Sequence, residues 1–277
     1  MTAIEQPAFP VGSPATATAQ LACSLSDEGG HPVVQLHGLT SSRRVDSLLD
    51  LDLGRGLSGT RLLRYDARGH GTSTGRKVPQ DYAWPQLADD LLQLLDAYFP
   101  GERVHGVGPS MGAATLLHAA VRDPQRFAGL TLLVPPTAWA TRTAKSQDYR
   151  TAATLIEKRG VGTFVAASAA VARPPATVGS PATEPDVPEG LLPSVFRGAA
   201  VSDLPAAADI AQIHCPVTIL AWIGDPAHPV STAEALAQLL PHAVLHVART
   251  PADVRGWPAM LRNDVAAHGR SRLAEGS

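Results

Sequence analysis

The chain has 277 residues, 44% of them hydrophobic and 17% charged, with a formal net charge of -2. That is enough apolar material for a large core, and it lacks the Lys and Arg clusters that hold nucleic acid or anionic membranes, so neither partner is expected. Cys23 and Cys215 stand far apart with no C-x-x-C pair, which reads as two reduced thiols of a cytoplasmic protein.

Segment 1–15 is proline-bearing, with no basic stretch and no long apolar run. It reads as a loose arm, not a secretory signal. No window is apolar for long enough to span a bilayer. Pro32-Val33-Val34-Gln35-Leu36-His37 predicts a short buried strand that ends at Gly38. Residues 41–53 predict a short helix closed by Gly54. Arg61 to Tyr65 predicts a second strand, closed by Asp66-Ala67-Arg68-Gly69-His70-Gly71. Leu87, Leu91, Leu92, Leu94, Leu95 and Tyr98 recur at helical spacing over 85–99, with Asp89, Asp90 and Asp96 assigned mostly to the opposite face.

A third strand is predicted over Val104 to Val107, followed by a helix over 111–122 and a fourth strand over Leu130 to Val134. A long interruption, 135–212, then carries helical patches near 146–158 and 162–172 and a Pro/Ala/Thr-rich passage. The alternation resumes with a strand over Pro216 to Trp222. A helix over Thr232 to Leu240, a strand over Val244 to Val247 and a last helix over about 251–267 complete it. Strands that alternate with helices predict an α/β fold with a mostly parallel sheet. The core is assigned to 16–134 and 213–277, and 135–212 is an insertion.

The densest chemical signal is Gly108-Pro109-Ser110-Met111-Gly112. A serine on a sharp turn from strand to helix is held with its oxygen exposed above the sheet, and the flanking glycines let strand and helix approach. Here a strand precedes the motif and a helix follows it. Pro109 sits at the strand end, where its missing N–H is tolerated.

At this point the chain resembles the α/β-hydrolase superfamily from about residue 30 to 267. The resemblance rests on four segments: His37-Gly38-Leu39-Thr40, Arg64 to Gly71, the Ser110 turn, and Gly224-Asp225-Pro226-Ala227-His228-Pro229. It implies that 135–212 caps the active site and that Ser110 is the nucleophile. It further implies that Asp225 is the acid, and that the N–H groups of Leu39 and Met111 form an oxyanion hole. His37 and Gly38 would shape the turn beside the site, and Trp139 and Trp222 lie near the strand ends that face the pocket. His70 reads as a structural residue of its loop.

The superfamily places its catalytic histidine after the last strand. Ala248-Arg249-Thr250-Pro251-Ala252-Asp253-Val254-Arg255-Gly256-Trp257 contains none. His228, three residues beyond Asp225, is the first choice of base, because imidazole takes a serine proton near neutral pH. His246 in the last strand is the alternative, and a chain without a catalytic histidine stays open. His268 is assigned to the last helix's C-terminal end, His214 and His242 to solvent-facing connectors, and Asp253 to the final helix's first turn.

The leading expectation is a serine hydrolase of an ester, thioester or lactone with a small hydrophobic acyl group. Phe164-Val165-Ala166-Ala167 and Leu191 to Phe196 are apolar enough to line such a pocket. Two alternatives stand beside it: a biosynthetic lyase, cyclase or acyltransferase with a nonstandard triad, and a ligand-binding protein that has lost catalysis. No phosphate-cradling loop or ligand cluster is present, so no cofactor or metal is expected. The sequence is silent on oligomeric state, and the partner it implies is a small-molecule substrate.

Overall fold

The computed structural model describes residues 3–13 and 16–275. Before the first long loop come β1 (Ile4–Glu5), β2 (Phe9–Ser13), β3 (Thr16–Leu21), β4 (Cys23–Asp27) and β5 (His31–Gln35). Then follow α1 (Arg43–Leu48), β6 (Thr60–Tyr65), α2 (Trp84–Tyr98), β7 (Val104–Pro109), α3 (Met111–Arg122) and β8 (Phe127–Leu133). The insertion carries α4 (Arg142–Arg159), α5 (Val161–Ala169) and α6 (Leu192–Ala200), and α7 (Ala207–Ile210) leads back to the sheet. The chain ends with β9 (Val217–Trp222), α8 (Val230–Leu239), β10 (Ala243–Ala248) and α9 (Pro251–Glu275).

One eight-stranded sheet runs in the order β1-β4-β6-β5-β7-β8-β9-β10. From β6 across to β10 every neighbour is parallel, while β1, β4 and β6 pair antiparallel. The parallel strands β5 and β7 are buried along their whole length, as strands covered by helices on both faces must be. The apolar stripe of α2 packs Leu87, Leu91, Leu94 and Leu95 into the main core, where α3 adds Ala113, Leu116, Leu117 and Ala120.

Three expectations need correction. The first fifteen residues are not a loose arm where they are described: Ile4 pairs with Leu25, and Phe9–Ser13 forms a hairpin with β3. Backbone pairing orders them together with Val11, which is buried in the main core, and Phe9, which packs on it. Residues 1, 2, 14 and 15 of that arm, and the His268 side chain, lie outside the described residues. Asp90 does not face outward: it is buried and receives both Nε and Nη2 of the buried Arg68, at 2.6 and 2.5 Å. An ion pair tolerates that burial because each charge meets its partner with two hydrogen bonds. The insertion also returns to the core before residue 212, since Leu204 and Ile210 belong to the main cluster.

The insertion sits against the loops at the carboxyl ends of the strands. The Asp186 N–H donates to Thr40 O at 2.8 Å, Gly71 N–H to Asp186 O at 2.7 Å, and Thr137 N–H to Ala227 O at 3.0 Å. Tyr82, Ile156, Leu192, Val195 and Phe196 form a separate apolar cluster there, with Leu39, Tyr149 and Phe164 packed on it. Among the described residues no helix is long and apolar enough to cross a membrane.

Candidate active site

Ser110 stands between the end of β7 and the start of α3 with φ 51° and ψ -109°. A side chain there costs on the order of 1–3 kcal/mol of backbone strain, which the surrounding structure must impose. The Ser110 N–H is held by Leu133 O at 2.9 Å, and Ser110 O accepts from Ala114 N–H at 3.0 Å. The two glycines are required by contact. A Cβ on Gly112 would lie 2.9 Å from Leu36 Cβ and 3.0 Å from His37 O, and one on Gly108 would lie 3.0 Å from Leu36 Cβ. The turn is therefore pressed against the end of β5, and Ser110 stays half-buried, not sealed in packing.

His228 Nε2 lies 2.8 Å from Ser110 Oγ, and His228 Nδ1 lies 2.8 Å from Asp225 Oδ2. Because a carboxylate only accepts, Nδ1 carries the hydrogen and Nε2 is left to accept from the Ser110 hydroxyl. Asp225 is held in turn by Trp222 Nε1–H, which donates to Oδ2 at 2.8 Å, and by Ala227 N–H, which donates to Oδ1 at 2.9 Å. Burial raises the Asp225 carboxyl, but the hydrogen bonds it accepts from His228, Trp222 and Ala227 outweigh it. The group stays far below the usual carboxylate range. Trp222 is fixed by stacking on Trp257, ring centroids 5.8 Å apart and planes 15° apart.

The loop after β10 is occupied differently. Asp253 Oδ2 accepts from the N–H groups of Arg249 and Thr250, at 2.9 Å each, and from Thr250 Oγ1. Its carboxylate therefore caps the start of α9, and those backbone bonds lower its pKa. His246 is half-buried inside β10, paired with Leu220, and His214 and His242 are exposed.

The turn before α1 is anchored on its carbonyl side. Gly38 O accepts from His37 Nδ1–H at 2.8 Å and from Ser41 N–H at 3.1 Å, while His37 Nε2 accepts from Ala67 N–H at 2.9 Å. The Gly38 carbonyl and the Leu39 N–H share one trans peptide and point in opposite directions, so fixing the oxygen aims the amide. A Cβ on Gly38 would lie 3.9 Å from Ser110 Cβ, which places this turn beside the serine. His70 packs its ring 5.1 Å from that of His37 and donates from Nδ1 to Arg68 O. Burial pushes His70 down to about 3 and lowers His37 as well, so both rings are neutral braces.

Trp139 is placed at the base of the insertion. Its N–H meets the Asp203 carboxylate at 2.9 Å and its Nε1–H donates to Pro205 O at 3.1 Å. Its polar atoms fasten the insertion and do not join the serine's hydrogen-bond chain.

Sequence reasoning missed Tyr149 and Arg142. The Arg142 guanidinium is buried, lies 4.2 Å over the Trp84 ring and 5.3 Å over the Tyr149 ring, and donates to Ser202 O at 2.7 Å. Burial raises the pKa of Tyr149, and the charge on Asp225 reaches it too. Its ring stacks on Phe196 at 5.8 Å, and Phe164 meets Phe196 edge-on at 5.2 Å. The mixed polar pattern of α4 gives no sign of this. Among the described residues no group of His, Cys, Asp and Glu is placed to hold a metal ion.

A sequence model of the alpha/beta hydrolase fold matches residues 31–251. The chain belongs to the α/β-hydrolase family. It is 27% identical over 234 residues to RutD of Caulobacter sp. (strain K31), provisionally named a carbamate hydrolase, covering 77% of this chain and 85% of that one. It is 28% identical over 192 residues to 3-oxoadipate enol-lactonase 2 of Acinetobacter baylyi, covering 66% and 68%. A thermophilic esterase from Thermogutta terrifontis superposes with a TM-score of 0.72 at 19% identity, over 97% of this chain and all of that one, which shows the shared fold. The α/β hydrolase described here is thus an enzyme of the hydrolase class.

Proposed function

We propose that this α/β hydrolase cleaves an ester, thioester or lactone of a small hydrophobic acyl compound through an acyl-enzyme on Ser110. The observation that carries the reading is the unbroken hydrogen-bond chain from Ser110 Oγ through His228 to Asp225, at 2.8 Å for each step. His228 Nε2 takes the hydroxyl proton as Oγ attacks the carbonyl carbon. The N–H groups of Leu39 and Met111 hold the resulting oxyanion, a role often worth more than any other single contribution. His228 returns the proton to the departing alkoxide or thiolate, and the C–O or C–S bond breaks. Water then attacks the acyl carbon, gives a proton to His228, and Ser110 leaves with that proton as the acid is released.

Asp225 holds the imidazole in the tautomer this needs and balances its charge, and Trp222 positions Asp225. His37 and Gly38 set the oxyanion turn. The insertion acts as a cap whose Phe164 and Phe196 pack with Leu39 of the turn before α1 in one apolar cluster, which favours a small hydrophobic acyl group. Tyr149 stacks on Phe196 in that cluster. We read the enzyme as working in the cytoplasm on a small molecule without a cofactor. The names of its relatives, a lactonase and a carbamate hydrolase, agree with acyl transfer to water.

Ser110→Ala tests this directly. A fluorophosphonate is expected to label the wild-type protein and not the variant, and turnover of short-chain nitrophenyl esters is expected to fall about 10⁴-fold or more with the fold intact. Turnover that survives Ser110→Ala but is lost in His228→Ala overturns the acyl-enzyme and points to elimination or ring closure instead.

A further inference from the structure

Behind the oxyanion turn lies a buried carboxyl with no role in the proton relay. Asp46 sits in the first turn of α1 and is 2% exposed. Its Oδ1 accepts from the Ser41 hydroxyl at 2.5 Å, and the same Ser41 donates its N–H to Gly38 O. Oδ2 is buried and has no hydrogen-bond partner.

The charges around it leave Asp46 unmatched. It lines a cavity of about 10 Å³ together with His37, Arg43, Asp52, Arg64 and Tyr65. The Arg43 guanidinium is engaged by Asp66, 3.2 Å from its Nε, and by Glu5, 3.0 Å from its Nη1. Arg64 is engaged by Asp52 at 3.0 Å. Asp186, on the outer side of α1, takes Ser42 Oγ at 2.6 Å and Arg44 at 3.1 Å. His37 is kept neutral by burial, and so is Tyr65. Each nearby cation is therefore engaged by another carboxylate, and the Asp46 carboxyl has the Ser41 hydroxyl as its hydrogen-bond partner.

We propose that Asp46 is the positioning residue of the oxyanion turn, holding it through Ser41 and Gly38, and that its neutral form is the catalytically competent one. This rests on the serine-hydrolase reading above. A negative charge placed behind Gly38 opposes the negative charge that develops at the Leu39 amide one peptide further on, and a water-poor interior screens that repulsion poorly. The neutral carboxyl keeps the hydrogen bond without the repulsion. Burial, then the fields of Asp52 and Asp66 against the Ser41 hydrogen bond, place this carboxyl at about 7, so the switch falls in the working range.

The test is the pH profile of kcat and KM for a nitrophenyl ester in the wild-type protein, Asp46→Asn and Ser41→Ala. Wild-type kcat is expected to fall at least about fivefold between about pH 7 and 9 as Asp46 ionises, with KM unchanged. Asp46→Asn, which cannot ionise but can still accept from Ser41, is expected to lose that alkaline fall. Ser41→Ala removes the hydrogen bond that favours the anion, so the fall is expected about one pH unit higher. An alkaline fall that is the same in all three proteins, or absent from the wild type, overturns the proposal. If Asp46→Asn does not fold, the direction of the Ser41→Ala displacement decides alone, and no displacement overturns it. Fluorophosphonate labelling of wild-type Ser110 separates the two readings. Absence of labelling sinks the hydrolase mechanism, whereas labelling with an unmoved profile sinks only the role of Asp46.

Discussion

At the scale of single residues, the acid and the imidazole are neighbours on one loop, and that economy has a cost in freedom. Asp225 and His228 are linked by a turn in which His228 N–H donates to Asp225 O at 3.1 Å. The carboxylate must then be steered by groups other than the imidazole, and Trp222 and Ala227 do this. Asp225→Asn cannot hold Nδ1–H as an acceptor of equal strength and permits the wrong tautomer, so kcat is expected to fall by about 10⁴-fold in steady-state assays. The same substitution has a signed effect on stability. The folded carboxyl is depressed below its unfolded value near 4, so Asp225 contributes stability above that pH and loses it as pH falls through the folded value. Thermal unfolding is therefore expected to separate the wild type from Asp225→Asn at pH 7, and the gap is expected to narrow as the pH falls below about 4.

Among the elements, the decisive junction is β7 to α3 against the end of β5. The strain at Ser110 is maintained because neither side can retreat: Gly112 meets Leu36 and His37, and Gly108 meets Leu36. Gly112→Ala pushes a methyl group against Leu36 Cβ and the His37 carbonyl, neither of which is the flexible end of a side chain. Overpacking of this kind costs about 1–3 kcal/mol. The expected outcome is a lower urea midpoint with an unchanged slope, and a loss of activity beyond what the lost stability explains, because the turn that aims Leu39 shifts with His37. The loop after β10 shows the opposite economy. Freed of a catalytic histidine, it spends its acidic residue on capping α9.

For the whole molecule, the question is how the insertion and the sheet share one site. The insertion has its own apolar cluster around Phe196, and Leu39 belongs to the edge of both that cluster and the main core. Substrate that contacts Leu39 is therefore in reach of both bodies. Phe196→Ala removes a ring that Tyr149 and Phe164 both pack on, a loss of about 3–5 kcal/mol for a buried aromatic. That loss is expected to open the insertion before the sheet. Hydrogen exchange should rise across α4 and α6 while β5, β7 and β8 stay protected, and KM should rise several-fold with fluorophosphonate labelling of Ser110 retained.

Much of the architecture could be read in the chain itself. The parallel strands from β5 to β10, and the helices α2, α3, α8 and α9, announce themselves because their burial is periodic or continuous and their ends carry glycine or proline. The serine turn is legible for the same reason, since a local backbone demand leaves a local glycine signature. The N-terminal strands escaped notice because they are short and pair through their backbones, and Ala, Thr and Ser leave no apolar pattern. Asp90 was placed on the wrong face because helical periodicity does not anticipate a buried Arg68.

The order of residues determined the sheet, the strained serine and the candidate acid, for each depends on neighbours a few positions away. Only the tertiary structure set His228 within hydrogen-bond reach of Ser110, packed Tyr149 against Phe196 and Arg142, and left Asp46 buried without a cation. These are distances between segments far apart in the chain. Hydrogen-bond strength and charge interaction depend on such distances and on burial, neither of which is written in the sequence.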